Sequence, residues 1–582
     1  MKKWKSLFYF LKTAYATSWK ALVYSLALTA LKAALPIVTA ILSSKLLGQL
    51  TMGVPSDEIV RVIFLILAVQ LTAGMIQPFL ANRFLTLTEK MKDDFRLRIG
   101  IRMMRMEYGK VESSKVQDIK QQALLPIVEW NAFEFILNEF VPAVLGGIMT
   151  IVATFFLVLD FGILLLFPVL LLVAVQFGLT GMKNKKFQTV MSNVGMVERR
   201  LDYYNMVTDD FSMGKDIRIF RADRMLMKKI KDLNDREVGE FSELFYKASF
   251  LDFWETWVTQ IQVYMIYFAQ AIALFRRMID IEAFFRITGL FINFAGAVFQ
   301  TLNAFSNLRV QMRFLEGFMN FEQLPMQDIQ MEDVCQTAKE IEFRNVSFHY
   351  EGADTNVLED VNFSVPQGTS VALVGVNGSG KTTVAKLVTG LLSPTDGQIL
   401  VDGMSLSGNA RRNASAVYQD FQLFAFTIRE NIETGFSGRG DAEKTLRTVG
   451  LDGLLDNAGC NLETYLYQAW NEGGITLSGG QGQKLAMARA LYKDAGLVVL
   501  DEPTSAYDAK AEEEIFRNFR KLTEGKTALL ISHRLASCRF CDKIIVLDGG
   551  RIVEEGSHEQ LMRHEHGKYR EMFLAQAEYY QK

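Results

Sequence analysis

Two contrasts along the chain predict a multidomain protein, an all-α membrane-spanning half followed by an α/β half. Apolar runs of about twenty residues, almost free of charge, crowd into the first half, long enough to cross a bilayer. The second half alternates short strand patterns with glycine-rich turns. At 582 residues the chain exceeds one ordinary domain. A net charge of −2 lacks the basic field that drives nucleic-acid binding, so no nucleic-acid partner is expected. The four cysteines, Cys335, Cys460, Cys538 and Cys541, all lie in the second half and imply no disulfide framework. Cys538-x-x-Cys541 has no second pair at zinc-site spacing and is read as incidental.

Residues 1–20 set Trp4, Phe8, Phe10 and Leu11 among Lys2, Lys3, Lys5 and Lys12, the pattern of an interfacial helix. A cleaved leader fits less well, because the next run is long enough to span. Six spans are expected near 21–47, 59–81, 139–159, 162–181, 250–275 and 283–308. The loops at 48–58 and at Asp160-Phe161 carry no Lys or Arg, whereas 82–138 and 182–249 are rich in both. The positive-inside rule therefore places both termini and both long segments in the cytoplasm, with Arg276 and Arg277 as an exception. Stretches 88–106 and 197–207 read as helices continuing beyond the membrane, each twenty residues adding about 30 Å. Within the spans, Lys32 precedes Pro36, an expected kink. Asn293, Gln300 and Asn307 recur every seven residues, with Asn303 on the same side. A substrate pathway and interhelical hydrogen bonding both account for that stripe.

Residues 321–340, acidic and carrying Pro325, form the linker. Alternation at 341–350 and 357–365 then predicts two strands. The apolar run Val371-Ala-Leu-Val ends in Gly375-Val-Asn-Gly-Ser-Gly-Lys-Thr-Thr383, which fits Gly-x4-Gly-Lys-Ser/Thr. The glycines let Gly375, Val376, Asn377, Gly378, Ser379 and Gly380 turn backbone N–H groups inward as an anion-binding nest. The helix that follows adds its free amides and positive dipole end. Lys381 would reach the β- and γ-phosphates of a nucleoside triphosphate, and the Thr382 hydroxyl would ligate Mg²⁺ beside Thr383. About a hundred residues on, Ser478-Gly479-Gly480-Gln481 opens a second helix with a second anion-binding terminus. Leu497-Val-Val-Leu-Asp501-Glu502 is an apolar strand ending in two carboxylates. Asp501 would hold the Mg²⁺ through water, and Glu502 would orient or activate an attacking water. The strand at 527–532 delivers His533.

Ser557-His-Glu-Gln560 reads as a capping box, with His558 at the surface. His564 and His566 lack a third ligand for a metal, and Asp548-Gly-Gly550 reads as a hairpin turn.

Together these motifs resemble the ABC transporters, with nearly the whole chain similar to a half-transporter of the exporter type. The resemblance makes the second half a P-loop NTPase of the ABC kind. It implies that Tyr350 stacks on adenine, Gly375–Thr383 is the Walker A loop and Gln419 senses Mg²⁺ and the membrane domain. Ser478–Gln481 becomes the signature, Asp501 and Glu502 the Walker B pair, Ser505-Ala-Tyr-Asp508 the D-loop and His533 the switch histidine. Tyr507 stands where leucine is usual. Two such domains pair head to tail, so each ATP lies between one chain's Walker A loop and the other's signature. The implied partner is a second half-transporter, the same chain or another. Stretches 109–114 and 210–220 fall where exporters place coupling helices.

The organisation expected is a transmembrane domain at 1–320, the linker at 321–340 and the nucleotide-binding domain at 341–582, with no peptidase ahead of the first span. The function expected is ATP-driven, Mg²⁺-dependent export of an amphiphilic solute, peptide or lipid across the cytoplasmic membrane, in contact with membrane lipids. An importer built on the same fold and a non-pumping ATP-gated channel or regulator are the alternatives.

Overall fold

The computed structural model describes the backbone of residues 2–128, 135–210, 213–326, 340–353, 355–405, 414–436, 440–455, 460–501 and 523–581, with the side chains of 2–6, 125–128, 138, 156–164, 188–199, 237, 309–310, 313–314, 536–537 and 578–581 outside that description. The chain divides into two compact units. One comprises Met1–Met104 and Ser114–Leu324, the other Arg105–Ser113 and Pro325–Lys582.

Among the described residues the first unit is helical apart from short turns. Its helices are α1 (Lys2–Thr51), α2 (Ser56–Arg105), α4 (Ser114–Val128), α5 (Val141–Asp209), α6 (Gly214–Ile219), α7 (Asp223–Phe275) and α8 (Ile281–Glu322), with a π turn at Phe135–Phe140. The short α3 (Tyr108–Val111) falls in the second unit. Among the described residues, six stretches are long and apolar enough to cross a membrane. The interfacial segment and the first span form one helix with a break at Ser18, where φ is −156° and ψ is 81°. The kink expected at Pro36 has no matching departure from helical dihedrals, so the chain bends where its amphipathic stretch meets the apolar one.

Helical backbone is continuous over α5, where the sequence predicts two spans and a turn. The chain nevertheless reverses within it. Gly147 abuts Ala297 and Thr301 of α8, while Asn184 Nδ2 donates to Ser306 Oγ (3.0 Å) and Asn307 Oδ1 (2.7 Å). A straight helix would hold residues 147 and 184 about 55 Å apart, against about 9 Å between 301 and 307. Two antiparallel limbs must therefore lie along the same stretch of α8. The expected turn at Asp160-Phe161 lies among the undescribed side chains between the limbs.

Many polar side chains inside this unit hydrogen-bond locally or across helices, as an apolar solvent favours. Thr29, Thr39 and Thr154 donate to the carbonyl four residues earlier. Gln176 Nε2 donates to Thr259 Oγ1 (2.9 Å), Thr180 Oγ1 to Glu255 (3.0 Å), and Lys183 pairs with Asp252 (2.6 Å). These residues recur at helical spacing and form a polar ladder between the second limb of α5 and α7. Asn307 of the stripe takes the interhelical role. Gln300 is exposed, and the buried Asn303 Oδ1 has no hydrogen-bond partner among the described residues.

The second unit is built on two sheets. The smaller is antiparallel, in the order β2 (Leu358–Val365), β1 (Ile341–Phe348), β4 (Asp396–Val401), β5 (Met404–Ser405). The larger runs β10 (Arg551–Gly556), β9 (Lys543–Asp548), β3 (Ser370–Val374), β8 (Thr527–Ile531), β7 (Leu497–Asp501), β6 (Ala414–Val417). In it, β9, β3, β8, β7 and β6 are parallel and only β10 is antiparallel. Strands β7 and β8 are buried at every position, as a sheet covered on both faces requires. The Asp548-Gly-Gly turn does close the β9–β10 hairpin, with Gly549 and Gly550 both at positive φ (53° and 78°).

The helices around these sheets are α9 (Lys381–Val388), α10 (Ile428–Glu433), α11 (Ala442–Thr448), α12 (Asp452–Leu455), α13 (Gly479–Lys493), α14 (Leu535–Cys538), α15 (His558–Arg563) and α16 (Lys568–Gln581). The capping box at Ser557 and Gln560 forms as expected. His558 departs from expectation. It is half-buried, its Nδ1 lies 2.8 Å from the Tyr569 hydroxyl, and its ring packs against Phe573. The capping box places the imidazole over the helix that follows rather than in solvent. Cys460, Cys538 and Cys541 form no disulfide among the described residues, and burial pushes the Cys541 thiol up to about 12.

Candidate nucleotide site

Parallel strands that share a register deliver their C-terminal ends to one edge, where open α/β sheets bind ligands. Leu373 pairs with Ile531, and Ile531 with Asp501. Leu500 pairs with Val417. Gly375, His533, Asp501 and Gln419 therefore leave adjacent strands at one level, although up to 158 positions separate His533 from Gly375 in sequence. A cleft of about 700 Å³ opens at that edge, lined by Asn377, Gly378, Lys381, Thr382, Gln419 and His533, among others.

The loop's shape needs its glycines. Gly380 is the N-cap of α9 at φ 103°, and a Cβ there would meet Leu358 Cδ2 at 2.6 Å. At Gly375 a Cβ would fall 2.1 Å from the Leu547 carbonyl oxygen. Lys381 is 5% exposed, and its Nζ donates to the carbonyls of Gly375 (3.1 Å) and Val376 (2.9 Å). A cation is thus held across the mouth of a backbone nest. The buried Ser379 Oγ has no hydrogen-bond partner among the described residues, a further polar group facing the loop interior. Thr382 is exposed to the cleft, while Thr383 is buried and its Oγ1 lies 3.2 Å from the Tyr350 hydroxyl. Tyr350 stands edge-on to Phe348 and does not itself line the cleft.

Asp501 is 1% exposed at the end of β7. Among the described residues no cluster of three or more His, Cys, Asp or Glu side chains gathers. A hydroxyl, an amide and one carboxylate suit a hard cation held mainly by phosphate oxygens and water, as Mg²⁺ usually is. Beneath Gln419, the Tyr418 hydroxyl bonds Thr389 (2.7 Å), and burial raises it to about 12, so it stays protonated. Glu502 and Asp508 lie outside the described residues.

Ser478 to Gln481 form the capping box that starts α13. The Ser478 N–H donates to Gln481 Oε1 (3.0 Å), and Ser478 Oγ accepts from the Gln481 N–H (3.3 Å). None of the four lines the 700 Å³ cleft; Ser478 and Gly479 line a separate cavity of about 150 Å³ with Phe421 and Leu477.

Two features were missed in the sequence. Arg489, a helix position with no motif around it, crosses to the segment after Gln419. It donates to Asn431 O (2.8 Å), Asn431 Oδ1 (3.1 Å) and Gln422 O (3.1 Å). The second is Tyr108 of the Arg105–Ser113 segment, packed with the β-sheet core of this unit and with Lys386 Nζ 5.3 Å from its ring centroid. A hydrogen bond with Glu112, then burial, raises its hydroxyl to about 12.

Residues 358–505 match the family model described as ABC transporter. That stretch carries an ABC transporter domain. The chain is 31% identical over 378 residues to the subtilin transport ATP-binding protein SpaT of Bacillus subtilis, covering 63% of this chain but 61% of that protein, less than two thirds of its length. It is 27% identical over 578 residues to the nisin transport ATP-binding protein NisT of Lactococcus lactis subsp. lactis, covering 93% and 91% of the two. In fold it is similar to a bacterial Atm1-family ABC exporter solved with ATP bound, at a TM-score of 0.79 and 21% identity, over 97% of this chain and 99% of the other. A domain of this kind binds ATP, and the loop geometry fits that nucleotide.

Proposed function

We propose that this chain is one half of an ATP-driven exporter that moves an amphiphilic solute, peptide or lipid across the cytoplasmic membrane. The convergence of Gly375, Lys381, Gln419, Asp501 and His533 on one sheet edge carries the proposal, in a chain whose other unit is a bundle of spanning-length helices. Relatives named for subtilin and nisin transport support the transport reading. Lys381 and the loop amides would hold the β- and γ-phosphates of ATP. Thr382, Gln419 and Asp501 would hold Mg²⁺, which when bound offsets phosphate charge. Tyr350 would stack on adenine once its hydroxyl leaves Thr383. Glu502 would orient and activate the attacking water, and His533 would meet the γ-phosphate.

The separation of Ser478, Gly479, Gly480 and Gln481 from the cleft supports a head-to-tail pair, in which each chain's signature, with Asp508 nearby, completes its partner's site. A second half-transporter, identical or not, is the implied partner. The segments at α3 and α6 would couple the cassettes to the membrane helices. ATP drives the cycle only through its higher affinity for the closed pair. Both termini and the cassette are assigned to the cytoplasm by the flanking charges.

The deciding experiment is Glu502→Gln in the reconstituted protein. ATP binding should persist while hydrolysis falls by about a thousandfold, the scale of losing a group that acts on the transition state. Turnover near the wild-type rate would refute the assignment.

A further inference from the structure

We infer that Gln576, on the C-terminal helix α16, is a positioning residue that sets His533 against the γ-phosphate, an inference that rests on the ATPase reading above. Its side-chain amide bridges the switch loop on both sides of the histidine. Gln576 Oε1 accepts from the Leu535 N–H at 2.9 Å, and Gln576 Nε2 donates to the His533 carbonyl. Leu535 is 0% exposed and opens α14, so its amide is an orphan donor that needs a partner inside the protein. From the strand side the loop is held once more. The buried Ser532 Oγ accepts from the Arg534 N–H (3.0 Å) and donates to the Arg534 carbonyl (3.2 Å). Two side chains thus fix the backbone from Ser532 to Leu535, while the residue they bracket lines the nucleotide cleft.

The clamp is only as firm as the helix carrying it, and α16 is well anchored. The Glu554 carboxylate accepts from the Lys568 N–H (2.6 Å) and the Tyr569 N–H (3.0 Å), which caps the positive end of the helix. Tyr569 is 0% exposed, with its hydroxyl against His558. Gln576 lies seven residues beyond Tyr569, two turns along the same face. The helix that ends the described chain therefore reaches back to the histidine proposed to read the γ-phosphate.

The test uses the full chain reconstituted in lipid nanodiscs. Gln576→Met keeps the length of the side chain and removes both hydrogen bonds. It should lower kcat for ATP about tenfold, within the range that a misplaced group costs. The KM for ATP should stay within about twofold and the Leu535 amide should exchange faster with deuterium, because the loop and not the nucleotide cradle is disturbed. Gln576→Glu keeps an acceptor for Leu535 but sets a carboxylate oxygen against the His533 carbonyl, so it should not rescue kcat. Met572→Ala, on the same helix, is the control for simple loosening and should lower Tm comparably with kcat unchanged. A wild-type kcat in Gln576→Met would overturn the inference, as would a loss confined to KM. So would an equal fall in kcat for Met572→Ala at equal loss of Tm. Absence of ATP hydrolysis in the wild-type chain would instead remove the ATPase reading, and this inference with it.

Discussion

Gly375→Ala tests whether the phosphate loop uses glycine for space or for conformational freedom. The backbone at Gly375 is open to any residue, since its φ is not among the positive values. The obstacle is the Leu547 carbonyl oxygen, 2.1 Å from the Cβ that alanine would add, with Ser379 Oγ at 2.8 Å. Carbonyl and methyl groups pack no closer than about 3.2 Å, so more than 1 Å must be found. Neither side can yield it easily. Leu547 is paired with Ile552 of β10, and Val374 is paired with Val546 of β9. Overpacking of this kind costs about 1–3 kcal/mol, and a backbone obstacle argues for about 3. For a unit of this size that predicts a fall in Tm of about 6–12 °C. Gly378→Ala is the internal comparison, with φ at 81° and nothing within 4 Å of its Cβ. It should suffer only the strain of a left-handed alanine, about 1 kcal/mol or 2–4 °C. Scanning calorimetry of the full chain, together with binding of a fluorescent ATP analogue, reads both. Equal shifts for the two variants, or a Gly375→Ala shift below about 2 °C, would refute the reasoning.

Arg489→Met should destabilise the second unit by about 3 kcal/mol, because three acceptors lose a charged donor whose burial already lowers its pKa. Arg489→Lys should recover less than half of this in denaturant unfolding, since one ammonium cannot span the three positions. Acid should loosen α15 and α16. Burial, then the charge of Arg539, lowers the His558 pKa below 6.5. The unfolded chain therefore binds more protons below about 6.5, and the contribution is fully present above that pH and lost as pH falls through the folded pKa. Deuterium exchange in α16 should rise between about pH 7.5 and 5.5 in the wild type and respond less in His558→Phe. In the membrane unit, Asn307→Leu should cost about 1 kcal/mol of thermal stability by leaving Asn184 with one interhelical acceptor fewer. An unchanged Tm there would favour a role for the stripe other than helix packing.

Much of this architecture is written in local patterns. Span length, strand alternation and the glycine loop each follow from a few neighbouring residues, because bilayer thickness, pleat period and nest geometry are short-range constraints. The Asp548-Gly-Gly hairpin and the Ser557 capping box belong to the same class. Helix ends were harder to read. The loop helix stops at Val388, because Gly390 turns to φ 70° and the amides of Leu391 and Leu392 close on the Lys386 carbonyl.

What lies beside what depends on packing across the fold. That Asp501, Ile531 and Leu373 share one register is a property of strand order, and no window of sequence contains strand order. The reversal inside α5 emerges from contacts with α8, since helical propensity alone would let both limbs run straight. Arg489 and Gln576 carry no motif, and their meaning arises from the loop segments that packing brings within hydrogen-bond reach. A membrane half and a triphosphate cradle are both legible in the order of residues. Packing alone decided which side chains hold that cradle's neighbours in place, because a hydrogen bond acts across 3 Å of space regardless of how many residues separate its partners.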